Sequence, residues 1–483
     1  MKTPAPAYAL GTSLLFLSLL TTVIEPAHGR GQKKAVRQSS SQSSSGDAIL
    51  DTPNKNGVLR TVSLDGSDVI KPNNPFFLSL GTNGRSCVSC HVPSTAWSIS
   101  PSEVQNRFKK TQGLDPIFRT NDGSNSPLAD VSTVAARQAA YSMLLNKGVI
   151  RIGLPIPAGA EFVLMKVQDP YGFASAAQLS LFRRPLPATN LRFLTAVMWD
   201  GRESFPPLGT LPILSSNSPA QNAATLFADL MHQANDATMG HAQGFALSDD
   251  VAMAIVNFEL NLATAQQVVR GAGRLDADHA EGGPAYLANQ NFYVTINDVL
   301  DADVLSHTFD PDSMTLFQAW DNSPDPMRAS IARGAKLFGS KPINITQVGG
   351  LNDDLQMPLI QGTCTTCHDT PNVGNHSVAL PIDIGLSDPK FRTLDMPLYT
   401  LLNIVTGQTR MTTDPGRALL TGKWKDIGKF KGPILRGLSS RPPYFHNGSA
   451  ADLGAVIDFY NTRFDVGITD AEKADLIAFL GAL

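Results

Sequence analysis

The 483-residue sequence is poor in cysteine: it has four, against 39 Gly and 33 Pro. Four thiols cannot staple a chain of this size through disulfides, so the fold must rest on a buried core. Neither sign of charge dominates, with 39 Lys and Arg against 42 Asp and Glu. That balance excludes the basic footprint of a nucleic-acid-binding protein and of an acidic-membrane binder. Long apolar runs are missing after residue 24, so no later segment reads as a membrane span.

The few cysteines sit in two copies of one pattern. Cys87-Val88-Ser89-Cys90-His91 and Cys364-Thr365-Thr366-Cys367-His368 are both C-x-x-C-H and use every thiol. This pattern attaches c-type haem: two thiols add to the vinyl groups and the adjacent imidazole ligates iron. A redox C-x-x-C would not need the histidine twice, and a zinc site would have to unite halves separated by most of the chain. Two covalent haem c groups are therefore expected, with His91 and His368 as iron ligands.

Residues 10–24 (LGTSLLFLSLLTTVI) are mostly apolar and precede the small residues Ala27 and Gly29. They read as a signal peptide over 1–29, with an uncleaved anchor as the alternative, and imply a periplasmic protein. A Ser/Gln-rich stretch makes 30–48 a flexible leader. Helical spacing covers 130–145, 221–233, 251–269, 327–338 and 451–460, and Thr469-Asp470-Ala471-Glu472 is a capping box for a last helix. Alternation with Gly and Pro breaks over 149–167 suggests a β-hairpin. Turn-formers over 310–326 divide an N-terminal haem domain (49–320) from a C-terminal one (321–483). The expected fold is mainly α: two cytochrome-c-like haem domains with a small β-hairpin insertion in the first.

After the second haem motif comes Asp426-Ile427-Gly428-Lys429-Phe430-Lys431-Gly432-Pro433-Ile434-Leu435-Arg436, then Pro443-Tyr444-Phe445-His446-Asn447-Gly448-Ser449. Between the motifs lie Met198-Trp199-Asp200-Gly201-Arg202 and Asn257-Phe258-Glu259. In this order the runs resemble the bacterial dihaem cytochrome c peroxidases, most clearly over 190–483. The resemblance implies that the His91 haem reduces hydrogen peroxide with electrons relayed from the His368 haem, and that Trp199 lies between them. Its other reading is an ordinary buried aromatic. A small cytochrome c or cupredoxin is the implied electron donor, no nucleic acid is involved, and a homodimer is allowed. Arg417 and Arg436 would pair with haem propionates. One calcium would map to Asn125 and to carbonyls near Arg441 and Pro443.

The chain departs from the family pattern in three places. No histidine lies between His91 and His232, so Met143, Met165 or Met198 would have to close the first iron if anything does. Gln233 matches the family's peroxide-site Gln, but the expected acid is absent, and His241 is the substitute proton carrier or else a loop histidine. Fourteen residues after His446, where the family has a Met ligand, stands Tyr460. A tyrosine there is similar to the dihaem oxidases that act on a protein substrate through high-valent iron; alternatively Tyr460 completes the apolar face of its helix, with His376 the rival ligand. Three functions thus stay open: peroxidase, oxidase of a protein or organic substrate, and non-catalytic electron carrier.

Overall fold

A computed structural model describes residues 47–204, 219–297, 310, 312–376 and 381–483; the residues expected to form the signal peptide and most of the expected leader lie outside them. The described residues form ten α-helices and eleven strands, so the mainly α expectation holds only in part. Helices Pro326–Ser340, Leu453–Phe464 and Asp470–Gly481 appear where the periodicity places them. The last is entered through the expected capping box: Glu472 N donates to Thr469 Oγ1 (3.3 Å) and Thr469 N to Glu472 Oε2 (2.8 Å). Residues 221–233 fall within the longer helix Pro219–Gly240.

Three elements correct the sequence reading. The 130–145 helix is two short ones, Val134–Ala140 and Ser142–Lys147, broken at Tyr141. The Asn125 amide enters the break: it donates to Ala139 O (3.1 Å) and Ser142 Oγ (2.7 Å) and accepts from Met143 N (3.2 Å). The hairpin over 149–167 does not form. Ile150–Leu154 pairs antiparallel with Leu179–Arg183, and Phe162–Gln168 pairs with Leu398–Asn403 from far along the chain. Alternation marked the strands correctly but could not choose their partners. Those were chosen by a shared core of Phe162, Leu179, Leu181, Tyr399 and Leu401.

The 251–269 helix stops early. Asp249–Leu260 is helical, but Leu262–Val269 is a strand, buried at all but one position. It pairs with Gly57–Ser63 in a four-stranded sheet. Its polar side chains find partners there: Thr264 bonds Thr61 and Thr189, each at 2.9 Å. Tertiary pairing has overridden the helical propensity of Leu-Ala-Thr-Ala-Gln-Gln.

Helix Pro326–Ser340 leads toward the second haem motif and crosses Asp470–Gly481 at Gly334. A Cβ at Gly334 would lie 2.0 Å from the Asp475 carbonyl oxygen and 2.7 Å from Phe479 Cβ. The crossing also seats Phe338, whose ring is 6.0 Å from that of His368. Gly334→Ala is therefore expected to destabilise the fold by about 1–3 kcal/mol through overpacking. Gly240→Ala, where an added Cβ meets nothing within 4 Å, is the control that should leave the thermal midpoint in place. Equal midpoints for the two variants would refute the tight crossing.

Candidate haem sites

Both C-x-x-C-H runs take the same local form. Each opens with a single 3-10 turn, Cys87–Ser89 or Cys364–Thr366. His91 N and His368 N each donate back to the carbonyl of the first cysteine at 3.0 Å, which gathers both thiols and the imidazole on one side. The hydroxyl at the third motif position closes the turn: Ser89 Oγ accepts from Ser86 N and Thr366 Oγ1 from Thr363 N, both at 3.0 Å. The chain then returns so that His91 Nδ1 bonds Trp97 O and His368 Nδ1 bonds Gly374 O, each at 3.0 Å. A carbonyl can only accept, so each Nδ1 carries the proton and each Nε2 keeps a lone pair for a metal.

The electrostatics agree. Burial pushes the His91 imidazole below its ordinary value and that of His368 down to about 4, so both are neutral ligands. Burial also pushes Cys364 and Cys367 up to about 12 and raises Cys87 and Cys90. Such thiols are not the activated thiolates of a redox pair.

Each motif opens onto a large, mainly apolar cavity, of about 1570 Å³ at the first and 1770 Å³ at the second with their open mouths included. Arg184, Pro185, Leu186, Trp199 and Lys431 line both, so Trp199 stands in the wall they share. Its indole Nε1 donates to Arg184 O (2.8 Å), and its own carbonyl accepts from Lys431 N (2.9 Å). The neighbouring Asp200 is held by Arg183 Nη1 at 2.5 Å, and Arg183 grips Asp414 at 2.7 and 2.9 Å. Burial opposes the charge on Asp200, but Arg183 overcomes it and holds the carboxyl below its usual range. The Asp of Trp-Asp-Gly-Arg thus anchors the indole.

The cavity walls call for an anion. Arg184, Lys431, Arg436 and Arg441 are buried and, among the described residues, have no carboxylate partner. Arg436 Nε and Nη1 have no hydrogen-bond partner at all. Guanidinium groups in that state fit haem propionates, which bring charge and acceptors together. The residues present thus fit two haem c groups.

Most other expected site residues line a cavity. Met198, Gln233 and His241 line the first; Tyr460, His376 and His446 line the second. His446 stacks on Phe430 at 4.1 Å and meets Trp199 edge-on at 6.2 Å. Two expectations need correction. Arg417 lines neither cavity and donates to Asp200 O (3.2 Å), bracing the Trp199 loop. Met143 is packed into a separate core and Met165 is exposed, so of the three methionines only Met198 faces the first cavity. Asn125 has its amide committed to the helix break described above. Sequence reasoning missed Arg85, Asp122 and Arg184, which carry no spacing that marks them, and named Arg441 only for its carbonyl.

No family model matches the chain. The cytochrome-c peroxidase IdrP1 of Denitromonas iodatirespirans is 33% identical over 136 residues, covering 25% of this chain and 36% of that protein. IdrP2 of the same organism is 29% identical over 133 residues, covering 26% and 36%. IdrP1 of Pseudomonas sp. (strain SCT) is 31% identical over 150 residues, covering 26% and 38%. The match thus spans little more than a third of these relatives' length. Over that region the chain is similar to proteins named cytochrome-c peroxidases, the family that its motifs resemble. A solved MauG-like protein associated with microbial copper homeostasis aligns over 85% of this chain and 87% of its own at 15% identity, with a TM-score of 0.34.

Glu259, quoted above for its family likeness, lines the first cavity with one carboxylate oxygen lacking a partner. Burial pushes its carboxyl up to about 8. The folded form therefore holds a proton that the unfolded chain releases near its ordinary value. Stability from this group is complete below that value and is lost as pH rises toward 8. Glu259→Gln keeps the shape and the neutral form, so thermal melts between pH 5 and 8 should fall for the parent and stay flatter for the variant. Parallel curves would show that Glu259 is ionised in the folded protein.

Proposed function

We propose that the protein is a periplasmic dihaem oxidoreductase that reduces hydrogen peroxide, taking electrons from a small donor protein at the His368 side and using them at the His91 side. The observation that carries this reading is Trp199, whose indole is the wall common to both cavities. Haem bound at each motif supplies the one-electron redox chemistry. The chain holds the two sites at fixed spacing, excludes bulk water with apolar walls, and moves protons. One peroxide takes two electrons and two protons and leaves as two waters. The donor gives up the electrons singly, and a proton carrier must face the first cavity, where His241 stands with the hydrogen-bonding amide of Gln233 in the same lining. Relatives named cytochrome-c peroxidases support the assignment.

A second reading has its own observation. Tyr460 faces the second cavity beside Cys364 and Cys367, and burial raises its hydroxyl above the ordinary range. A phenolate there needs a positive charge, which ferric iron supplies. Ligation by Tyr460 would lower the potential of the second site and favour an oxidase of a protein or organic substrate.

Stopped-flow mixing of the fully reduced protein with hydrogen peroxide separates catalyst from carrier. Rapid reoxidation at one peroxide per two electrons is expected; a reduced spectrum that persists would leave only the carrier. In Tyr460→Phe, which keeps the ring packed between Phe459 and Phe464, the second haem should turn high-spin and its potential should rise. An unchanged spectrum would make Tyr460 a core residue and move attention to His376.

A further inference from the structure

We propose that Asp122, clamped by Arg85, is the positioning residue that fixes His241 with its Nε2 toward the first cavity, and that the His241–Asp122 pair is the proton relay of that site. The proposal rests on the peroxidase reading above and names the proton carrier that it needs.

The geometry is that of an oriented base. His241 Nδ1 lies 2.5 Å from Asp122 Oδ2. An ionised carboxylate can only accept, so Nδ1 carries a proton, and in the neutral imidazole it is Nε2 that offers the lone pair. His241, Asp122 and Arg85 all line the first cavity with Gln233. Asp122 Oδ1 pairs with Arg85 Nη1, and both side chains are almost wholly buried. Burial works against the charge on Asp122, yet the His241 hydrogen bond and the Arg85 charge keep its carboxyl below the usual range. The carboxylate is thus a permanent acceptor for the imidazole.

Arg85 does more than balance charge. Its Nε and Nη2 donate to the carbonyls of Pro116 (2.8 Å) and Ile117 (2.6 Å), and its Nη1 also reaches His241 O (3.1 Å). Asn83 Nδ2 donates to that same His241 carbonyl at 2.8 Å, and Asn121 Nδ2 to the carbonyl of Gly240 at 3.1 Å. Farther out, Gly81 bridges Gly244, where a Cβ on Gly81 would fall 1.9 Å from the Ala242 carbonyl. The segment leading into Cys87 therefore grips the loop that carries His241 at several points. The imidazole is referenced to the haem-attachment turn itself, which is the condition for proton transfer at a defined atom.

A base so held can take the proton from the nearer oxygen of peroxide and hand it to the farther one. The O–O bond then breaks, the bonding pair leaving with the doubly protonated oxygen as one water. The oxygen left behind takes the two electrons that the donor supplies and two protons from solvent and leaves as the second water, and the imidazole ends as it began. Asp122 stays ionised throughout and fixes the tautomer. The pair fills the role left open by the acid missing from this stretch of the sequence.

The test uses the holoprotein and two readouts: the second-order rate with hydrogen peroxide, and the C–O stretching frequency of the ferrous carbon monoxide complex. His241→Ala should slow the reaction by about 10²–10⁴-fold, the usual size of general acid–base catalysis, and shift the stretch. Asp122→Asn should slow it less and shift the stretch to a different position, and the double variant should be no slower than His241→Ala. Imidazole added to His241→Ala should restore part of the rate, but not in the double variant. If Asp122→Asn does not fold, His241→Ala with its imidazole rescue decides alone, since it leaves the Arg85–Asp122 pair intact. Full haem content with rate and stretch unchanged in His241→Ala or Asp122→Asn would overturn the proposal. A parent inert to peroxide would sink the peroxidase reading instead, while shifted stretches in both variants would still uphold the positioning.

Discussion

Positive charge buried without a carboxylate partner is the constraint on which the rest of the structure depends. Arg184, Lys431, Arg436 and Arg441 stand around the two cavities, and burial pushes all four below their ordinary values, Lys431 to about 7. Backbone carbonyls satisfy several of their protons: Arg184 donates to Ile99 O (2.6 Å) and Arg441 to Ile434 O (2.6 Å). Carbonyls do not neutralise charge, and an unmatched buried cation costs several kcal/mol. The arrangement is stable when acidic groups of a ligand sit among these cations, and haem propionates have that chemistry. Cofactor binding and folding are therefore one problem for this chain.

The wall between the cavities is built to keep one ring in one place. Trp199 is tethered through its indole nitrogen and its carbonyl, and Asp200 beside it is locked by Arg183 and Arg202. Gly201 turns the chain with φ +76°, in the left-handed region where only glycine is unstrained. A tethered aromatic between two redox sites is suited to relay, whereas a loosely packed one would blur the distance on which transfer depends. The His241 loop follows the same logic at the first cavity, held by the segment that leads into the first haem motif.

How much of this could be read in the sequence depended on the range of the interaction. The haem motifs, their hydroxyl-closed turns and the Thr469 cap are local, and local patterns fix them. Gln233 and His241 were named from the family resemblance and Tyr460 from its interval after His446, and each lines a cavity. Strand partners were not: Phe162–Gln168 and Leu398–Asn403 meet through a common core that no short window contains. Asp122 was invisible for the same reason, since its partners are 37 residues back at Arg85 and 119 residues on at His241. Arg417 failed in the opposite way: its charge suggested a propionate partner, while the fold turned it toward the Asp200 carbonyl.

On this reading the two motifs carry two covalent haems, one in each cavity beside Trp199. Intact mass measurement of the denatured mature protein, made in cells that attach haem c, tests it most directly. The account predicts a single species heavier than the polypeptide by two haems, reduced to one haem when either cysteine pair is replaced by alanine. A polypeptide that keeps one haem or none, with all four cysteines in place, would contradict it.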